Sequence, residues 1–166
     1  MKKNFLVVVS LVSIFFIACK KDAKCPYSET SVVAPVAETD SIKKYLIAQN
    51  ITTAVQHPSG IFYTIGTAGS GATPELCSDL TVQYQGYLFS GAQFDGTNGS
   101  AQATFTLGRT IEGWKKGLPL AKPGGTLTLY IPPSLGYGSN PIYQGGVLVI
   151  PANSYLRFTV NLIAVQ

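Results

Sequence analysis

Charge is scarce in this sequence. Of 166 residues 12% are charged, about half the usual ~25% of a soluble domain. That excludes a disordered charged tail and a solvated coiled coil. Histidine is almost absent: His57 stands alone, beside Pro58 and Gly60 in what reads as a turn. Neither a Ser-His-Asp set nor a base-activated thiol can be built around it. One His and three Cys leave too few ligands for a structural zinc site. Acids are sparse where chemistry would need them. Between residues 80 and 166 there are Asp95 and Glu112 alone, and they form no evident acid–base pair. The excess of twelve Lys/Arg over eight Asp/Glu shrinks once Lys2 and Lys3 are set aside. No nucleic-acid footprint remains. Long apolar runs are missing too. Phe5 to Ala18 is fourteen residues, short of the ~20 that span a bilayer as a helix.

That short run follows Lys2-Lys3 and precedes Cys19, which gives residues 1–18 the form of a signal peptide. "FIAC" at 16–19 resembles a bacterial lipobox, with Phe16 where Leu is usual. The expectation is a lipidated Cys19 at the mature N-terminus, a bacterial cell-envelope location and a periplasmic or outer-membrane attachment. A plain signal peptide or a single-pass anchor are the alternatives. Residues 19–38, with three Lys, two Pro and several Ser, Thr and Ala, read as a flexible tether. Setting Cys19 aside leaves Cys25 and Cys77 in an oxidising compartment. They are either a disulfide, worth ~4 kcal/mol for a loop of about fifty residues, or two buried thiols.

The rest of the chain is rich in what β-sheets use. Hydrophobic residues make up 46%, and seventeen Gly with ten Pro punctuate it. Thr39, Asp40 and Ser41 offer N-caps before Ile42, Tyr45 and Leu46, which predicts a short helix over 40–49 in an extension covering 39–59. From Gly60 the period changes to two. Strands are expected near 61–65, 80–89, 103–108, 126–132 and 154–165. A helix is expected over 111–121, with Ile111, Trp114 and Leu118 on one face and Pro119 near its end. "GTAGSGATP" at 66–74 and "SLGYGSNPIYQGG" read as loops. In the last strand Leu156, Phe158, Val160 and Leu162 face one way, Tyr155, Arg157, Thr159 and Asn161 the other. The pattern is α+β: an antiparallel sheet with one apolar face covered by a short helix.

An aromatic cluster stands out: Tyr84, Phe94, Phe105, Trp114, Tyr137 and Phe158. Most such clusters are plain core. Here Tyr84 and Tyr137 carry hydroxyls that need partners if buried, and Asp95 follows Phe94 directly. An apolar pocket with a few convergent polar groups is the usual form of a ligand site.

Four blocks in order, "VQYQGYLFSGAQFDG", "FTLGRTIEGWKKGL", "PGGTLTLYIPPSLGYG" and "IPANSYLRFTVNLI", resemble the FKBP-type peptidyl-prolyl cis-trans isomerases over about residues 78–164. The resemblance implies a five- to six-stranded antiparallel sheet wrapped around one short helix, spanning 60–166, with a prolyl residue buried between them. It implies no cofactor and no metal. Carried over residue by residue, Trp114 is the pocket floor, and Tyr84, Phe94 and Phe158 are its walls. Asp95 holds a hydroxyl network and faces the twisting amide. Tyr137 and the Ile111 N–H donate to substrate carbonyls, and Ile150 closes the far rim. Three departures stand against the family pattern. Ala103 replaces a wall aromatic, "GRTIEGW" is about two residues short, and the loop from Tyr137 to Ile150 is long, with Ala152 for a second Pro.

The implied partners are proline-containing polypeptides, the membrane through the lipid, and macrolide inhibitors as candidate ligands, with no nucleic acid; the expected state is a monomer. Two readings of function stay open. One is an isomerase assisting the folding of exported envelope proteins. The other is a catalytically weak chaperone or binding module that keeps the fold.

Overall fold

The computed structural model describes residues 24–166; the expected signal peptide and Cys19 lie outside them. In chain order come helix α1 (Val36–Ala48), strands β1 (Val55–Gln56), β2 (Phe62–Thr67), β3 (Asp79–Leu88), β4 (Gln93–Gly96) and β5 (Ala103–Thr106), and helix α2 (Glu112–Gly117). Strands β6 (Gly125–Ile131), β7 (Ile142–Gln144), β8 (Val147–Ile150) and β9 (Leu156–Val165) follow.

Seven strands form one antiparallel sheet in the order β1-β2-β6-β9-β3-β4, with β5 also on β3. The count exceeds the expected five to six for a simple reason. The ten-residue β3 pairs β5 along Asp79–Val82 and β4 along Gln85–Tyr87, so one edge is built from two short pieces. The two-residue β1 adds a further edge, which joins the 39–59 extension to the sheet. The period-two pattern is obeyed. Leu127, Leu129 and Ile131 of β6, and Leu156, Phe158, Val160 and Leu162 of β9, point to one face and are at most 3% exposed.

On that face lies α2. Gly113 and Gly117 bring it against β6: a Cβ at either would stand 2.5–2.6 Å from Ile131 or Leu129 side-chain atoms. Any larger residue would lift the helix off the sheet. Glu112 in its first turn and Lys115 and Lys116 in its last suit the helix dipole. The expected helix over 111–121 is shorter. It gives way to a 3₁₀ turn at Leu118–Leu120, because Pro119 has no N–H to continue the ladder.

The sheet is covered on its second face as well. There α1 buries Ile42 and Leu46 against Phe62 and Tyr130. It begins at Val36, before the expected Thr39–Ser41 caps, since Pro35 at the N-cap has a preset φ of −56° and its carbonyl accepts the Glu38 and Thr39 N–H groups. It ends at Ala48, and Asn50 just past it takes φ 55° as a stop while the Ile51 and Asn50 N–H groups return to the Leu46 and Ile47 carbonyls.

From Cys25 onward the expected tether is a docked strap. Cys25 and Cys77 are joined, with Cα atoms 5.7 Å apart. The Tyr27 ring lies on Gly108. Thr30 donates through its N–H and hydroxyl to Glu112 Oε2, at 3.1 and 3.2 Å, and Lys116 Nζ donates to the Thr30 carbonyl at 2.9 Å. A linker-like composition is thus held by long-range polar contacts that no local pattern shows.

The expected long loop after Tyr137 contains the β7–β8 hairpin, turned by Gly145-Gly146 with φ of 55° and 82°. Two successive positive φ values make the tight turn that Gly-Gly favours.

Candidate active site

Between α2 and the sheet a cleft of about 250 Å³ opens, lined by Tyr84, Asp95, Phe105, Arg109, Thr110, Ile111, Trp114, Tyr137 and Phe158. Strands, a helix and two turns deliver the lining residues. Tyr84 and Phe158 point inward from the central strands β3 and β9. Trp114 rides on the one turn of α2 that the two glycines press to the sheet. Arg109, Thr110 and Ile111 come from the turn that the strap clamps, and Tyr137 follows the 3₁₀ turn at Pro133–Leu135.

Trp114 is 4% exposed and forms the floor. Rings stand around it edge-on: Tyr84 at 5.4 Å and 88°, Phe105 at 5.6 Å and 90°, Phe158 at 5.2 Å and 82° between centroids and planes. Edge-to-face packing at such distances suits the ring quadrupoles and fixes a flat, unyielding base. The indole N–H is buried with no partner among the described residues.

The polar groups converge on one side. Tyr84 donates its hydroxyl to Asp95 Oδ2 at 2.7 Å, and the Gly96 N–H donates to Asp95 Oδ1 at 2.8 Å. Burial, and then the Asp95 hydrogen bond and charge, push the Tyr84 hydroxyl far above its ordinary value. Burial, with Asp95 second, raises Tyr137 in the same sense. Both phenols therefore stay protonated and can only donate or accept hydrogen bonds. The Ile111 N–H precedes α2 as its N-cap and has no acceptor among the described residues. Thr110 is occupied, its hydroxyl donating to the Leu107 carbonyl at 2.8 Å. Among the described residues no cluster of His, Cys, Asp and Glu could hold a metal ion.

Six of the eight expected pocket residues share the lining: Tyr84, Asp95, Ile111, Trp114, Tyr137 and Phe158. Phe94 and Ile150 do not. Phe94 stands one layer back, edge-on to Phe158 at 5.4 Å, in space left by the bare Gly86. Ile150 is 2% exposed and closes the base of the hairpin opposite Ile142 instead of reaching the rim. Phe105 joins the lining from the aromatic cluster, without a role carried over for it, and Arg109 and Thr110 were not expected there. Phe105 lies two residues beyond Ala103 on the same side of β5 and supplies an aromatic wall at 5.7 Å from Tyr84. The small residue at 103 therefore leaves no breach. The short "GRTIEGW" spacing still delivers Ile111 to the cleft. The chain crosses from β5 to α2 through a 3₁₀ turn at Leu107–Arg109.

The family model of the FKBP-type peptidyl-prolyl cis-trans isomerases matches residues 71–163. The chain is 41% identical over 109 residues to the peptidyl-prolyl cis-trans isomerase Mip of Coxiella burnetii, covering 65% of this chain and 46% of that protein. It is 38% identical over 110 residues to the outer membrane protein MIP of Legionella longbeachae, covering 66% and 46%. The crystal structure of FkpA from Escherichia coli superposes with a TM-score of 0.64 at 32% identity, over 78% of this chain and 61% of that one. The chain spans less than half the length of these two curated relatives. The match covers the whole cleft, from β3 to β9, and the chain belongs to the family of FKBP-type peptidyl-prolyl cis-trans isomerases.

Proposed function

We propose that the cleft isomerises Xaa-Pro peptide bonds, and that the chain does so in the bacterial cell envelope as a lipoprotein held through Cys19. The observation that carries the reading is the floor: a single buried indole ringed edge-on by three aromatics and open to solvent above. An Xaa-Pro amide resists rotation by ~18–20 kcal/mol because resonance makes its C–N bond partly double. Uncatalysed exchange takes tens to hundreds of seconds. Twisting the bond removes that resonance and much of the amide's charge separation. An apolar cleft therefore suits the twisted state better than the planar one, which is selective stabilisation of a transition state. A prolyl ring against Trp114 would anchor one side of the bond. The Ile111 N–H and the Tyr137 hydroxyl, both donors, would hold the flanking carbonyls while the amide turns. Asp95, kept in place by Tyr84 and Gly96, would face the rotating group. No proton leaves and no nucleophile attacks, which agrees with a cleft whose phenols stay protonated. Lowering the barrier by ~5–7 kcal/mol would accelerate exchange roughly 10⁴–10⁵-fold.

The test is cis-trans exchange of a proline tetrapeptide, followed by a protease-coupled assay with micromolar protein. Acceleration in proportion to protein concentration is expected; exchange at the uncatalysed rate would overturn the reading. The envelope location rests on the leader-like residues 1–19 and is checked separately, by labelling with a radioactive fatty acid: Cys19→Ser should abolish the label.

A further inference from the structure

The cleft carries two charged side chains, Asp95 and Arg109, and they differ in one respect. Asp95 has both carboxylate oxygens engaged, by the Tyr84 hydroxyl and the Gly96 N–H. Arg109 is exposed and has no ion pair or hydrogen bond among the described residues. The neighbouring charges are committed elsewhere. Glu112 takes Lys115 Nζ at 2.7 Å and the Thr30 donors, and Lys116 goes to the strap. Thr110, between Arg109 and Ile111, is turned back on its own loop. The rim of an otherwise aromatic cleft thus holds one guanidinium with five donors and no local acceptor. Its backbone is set by the 3₁₀ turn at Leu107–Arg109, which the Tyr27 ring backs at Gly108, so its base is held while its side chain reaches freely. A planar donor fork of that kind matches a carboxylate.

We infer that Arg109 sets substrate preference: the cleft favours prolines with an acidic residue directly before or after them, whose carboxylate meets the Arg109 guanidinium. This rests on the isomerase reading above. The contact is at the rim and partly hydrated, so its effect is modest and sensitive to salt. A three- to fivefold preference for Glu over Gln is expected at low ionic strength, about what an exposed ion pair supports.

Two readouts test it on the whole chain. Trp114 is the only tryptophan of the sequence and forms the floor, so its fluorescence reports occupancy of the cleft without any turnover. Six peptides, with Glu, Gln or Lys on either side of the proline, are titrated against the wild type, Arg109→Ala and Arg109→Glu. They are also used as exchange substrates. Tighter binding of at least one Glu peptide over its Gln partner is expected in the wild type. That ratio should fall towards one in 0.5 M salt and in Arg109→Ala, and Arg109→Glu should favour a Lys peptide instead. Equal affinity for Glu and Gln at both positions, or a Glu preference that survives Arg109→Ala, overturns the inference. Exchange separates its failure from that of the parent reading. Turnover of the Gln peptides without a Glu preference removes the role of Arg109 alone. No turnover of any peptide removes the isomerase reading, while the fluorescence ratio still decides the binding preference.

Discussion

The same sheet carries an aromatic cluster on each face, and only one of them encloses a cleft. On the first face Tyr84, Phe105, Trp114 and Phe158 meet edge-on around an open space. On the second, Tyr45 stacks on Phe89 with centroids 3.8 Å apart, Phe89 meets Tyr155 at 5.4 Å and Tyr130 at 6.4 Å, and the gaps are filled by Ile42 and Leu46. Counting aromatics does not tell the two apart. The cover does. The thirteen-residue α1 lies across its cluster and fills it with Ile42 and Leu46, burying Phe62 and Tyr130. The six-residue α2 is pressed by its glycines onto β6, and it leaves a cleft open beside Tyr84 of β3 and Phe105 of β5. Length of the covering helix, more than ring chemistry, turns one apolar cluster into core and the other into a site.

The sharpest break of that comparison is a pair of truncations. Trp114→Ala should cost ~3–5 kcal/mol of stability and Ile42→Ala ~2–5 kcal/mol, since both leave buried voids. Their effects on exchange should part company. Trp114→Ala is expected to lose at least about a hundredfold in kcat/KM, some 2.7 kcal/mol of transition-state stabilisation. Ile42→Ala should keep full activity per folded molecule, measured well below its own melting temperature. An Ile42→Ala protein that is folded but slow would mean that the two faces are coupled.

Asp95→Ala comes next. It removes the acceptor of a tyrosine hydroxyl whose residue is 8% exposed, which costs ~1–3 kcal/mol of stability. Exchange should slow about tenfold. Tyr84→Phe in the Asp95→Ala background should cost less than in the wild type, because the hydroxyl has already lost its partner. Unchanged exchange in Asp95→Ala would leave the acid a structural part only. A smaller effect, about three- to tenfold, is expected for Tyr137→Phe, which deletes one neutral donor worth ~1 kcal/mol. Its phenol, like that of Tyr84, holds its proton above the ordinary value of about 10. The exchange rate should therefore be flat between pH 6 and 9, and a slope there would reveal a titrating participant.

How far this was readable in the sequence depends on where each contact's partner lies. Alternation in β9 sorted the inward residues correctly, because a strand half-buried in a sheet repeats every two residues whatever surrounds it. Tyr84 and Phe158 were legible for the same reason, as large residues at inward strand positions, and Trp114 through its helical spacing with Ile111 and Leu118. The hairpin at Ile142–Ile150 was not. Tyr143, Val147 and Leu148 are apolar yet 46–66% exposed, so no inside-outside pattern marks it, and Gly145-Gly146 was the sole local sign. Arg109 entered the cleft through the direction of a three-residue turn, which composition does not encode. The strap at Cys25–Ala34 was read as a tether because its anchors, Glu112 and Lys116, lie more than eighty residues away.

The smallest expected effect concerns the region behind the strap, and it contrasts with the flat pH response of the cleft. His57 opens a turn closed by the Gly60 N–H on its carbonyl, with Pro58 second. Its Nδ1 accepts the Ser59 N–H at 3.1 Å and lies 2.8 Å from the Ser59 hydroxyl, and the Ser59 carbonyl accepts the Ala34 N–H of the strap at 2.9 Å. Protonation at Nδ1 would turn that acceptor into a donor facing a donor. Burial first, and then the Lys116 charge, hold the ring below the usual value, with Glu29 opposing. A basic group with a lowered folded value binds its proton more readily when unfolded. Its contribution to stability is complete above the unfolded value of about 6.5 and is lost as pH falls through 6.5 to the lowered folded value. Urea unfolding at pH 7.5 and pH 5.5 should therefore show a loss on acidification in the wild type that is smaller in His57→Gln. Equal losses in the two proteins would place the acid sensitivity elsewhere, and the turn would then hold the strap without sensing protons.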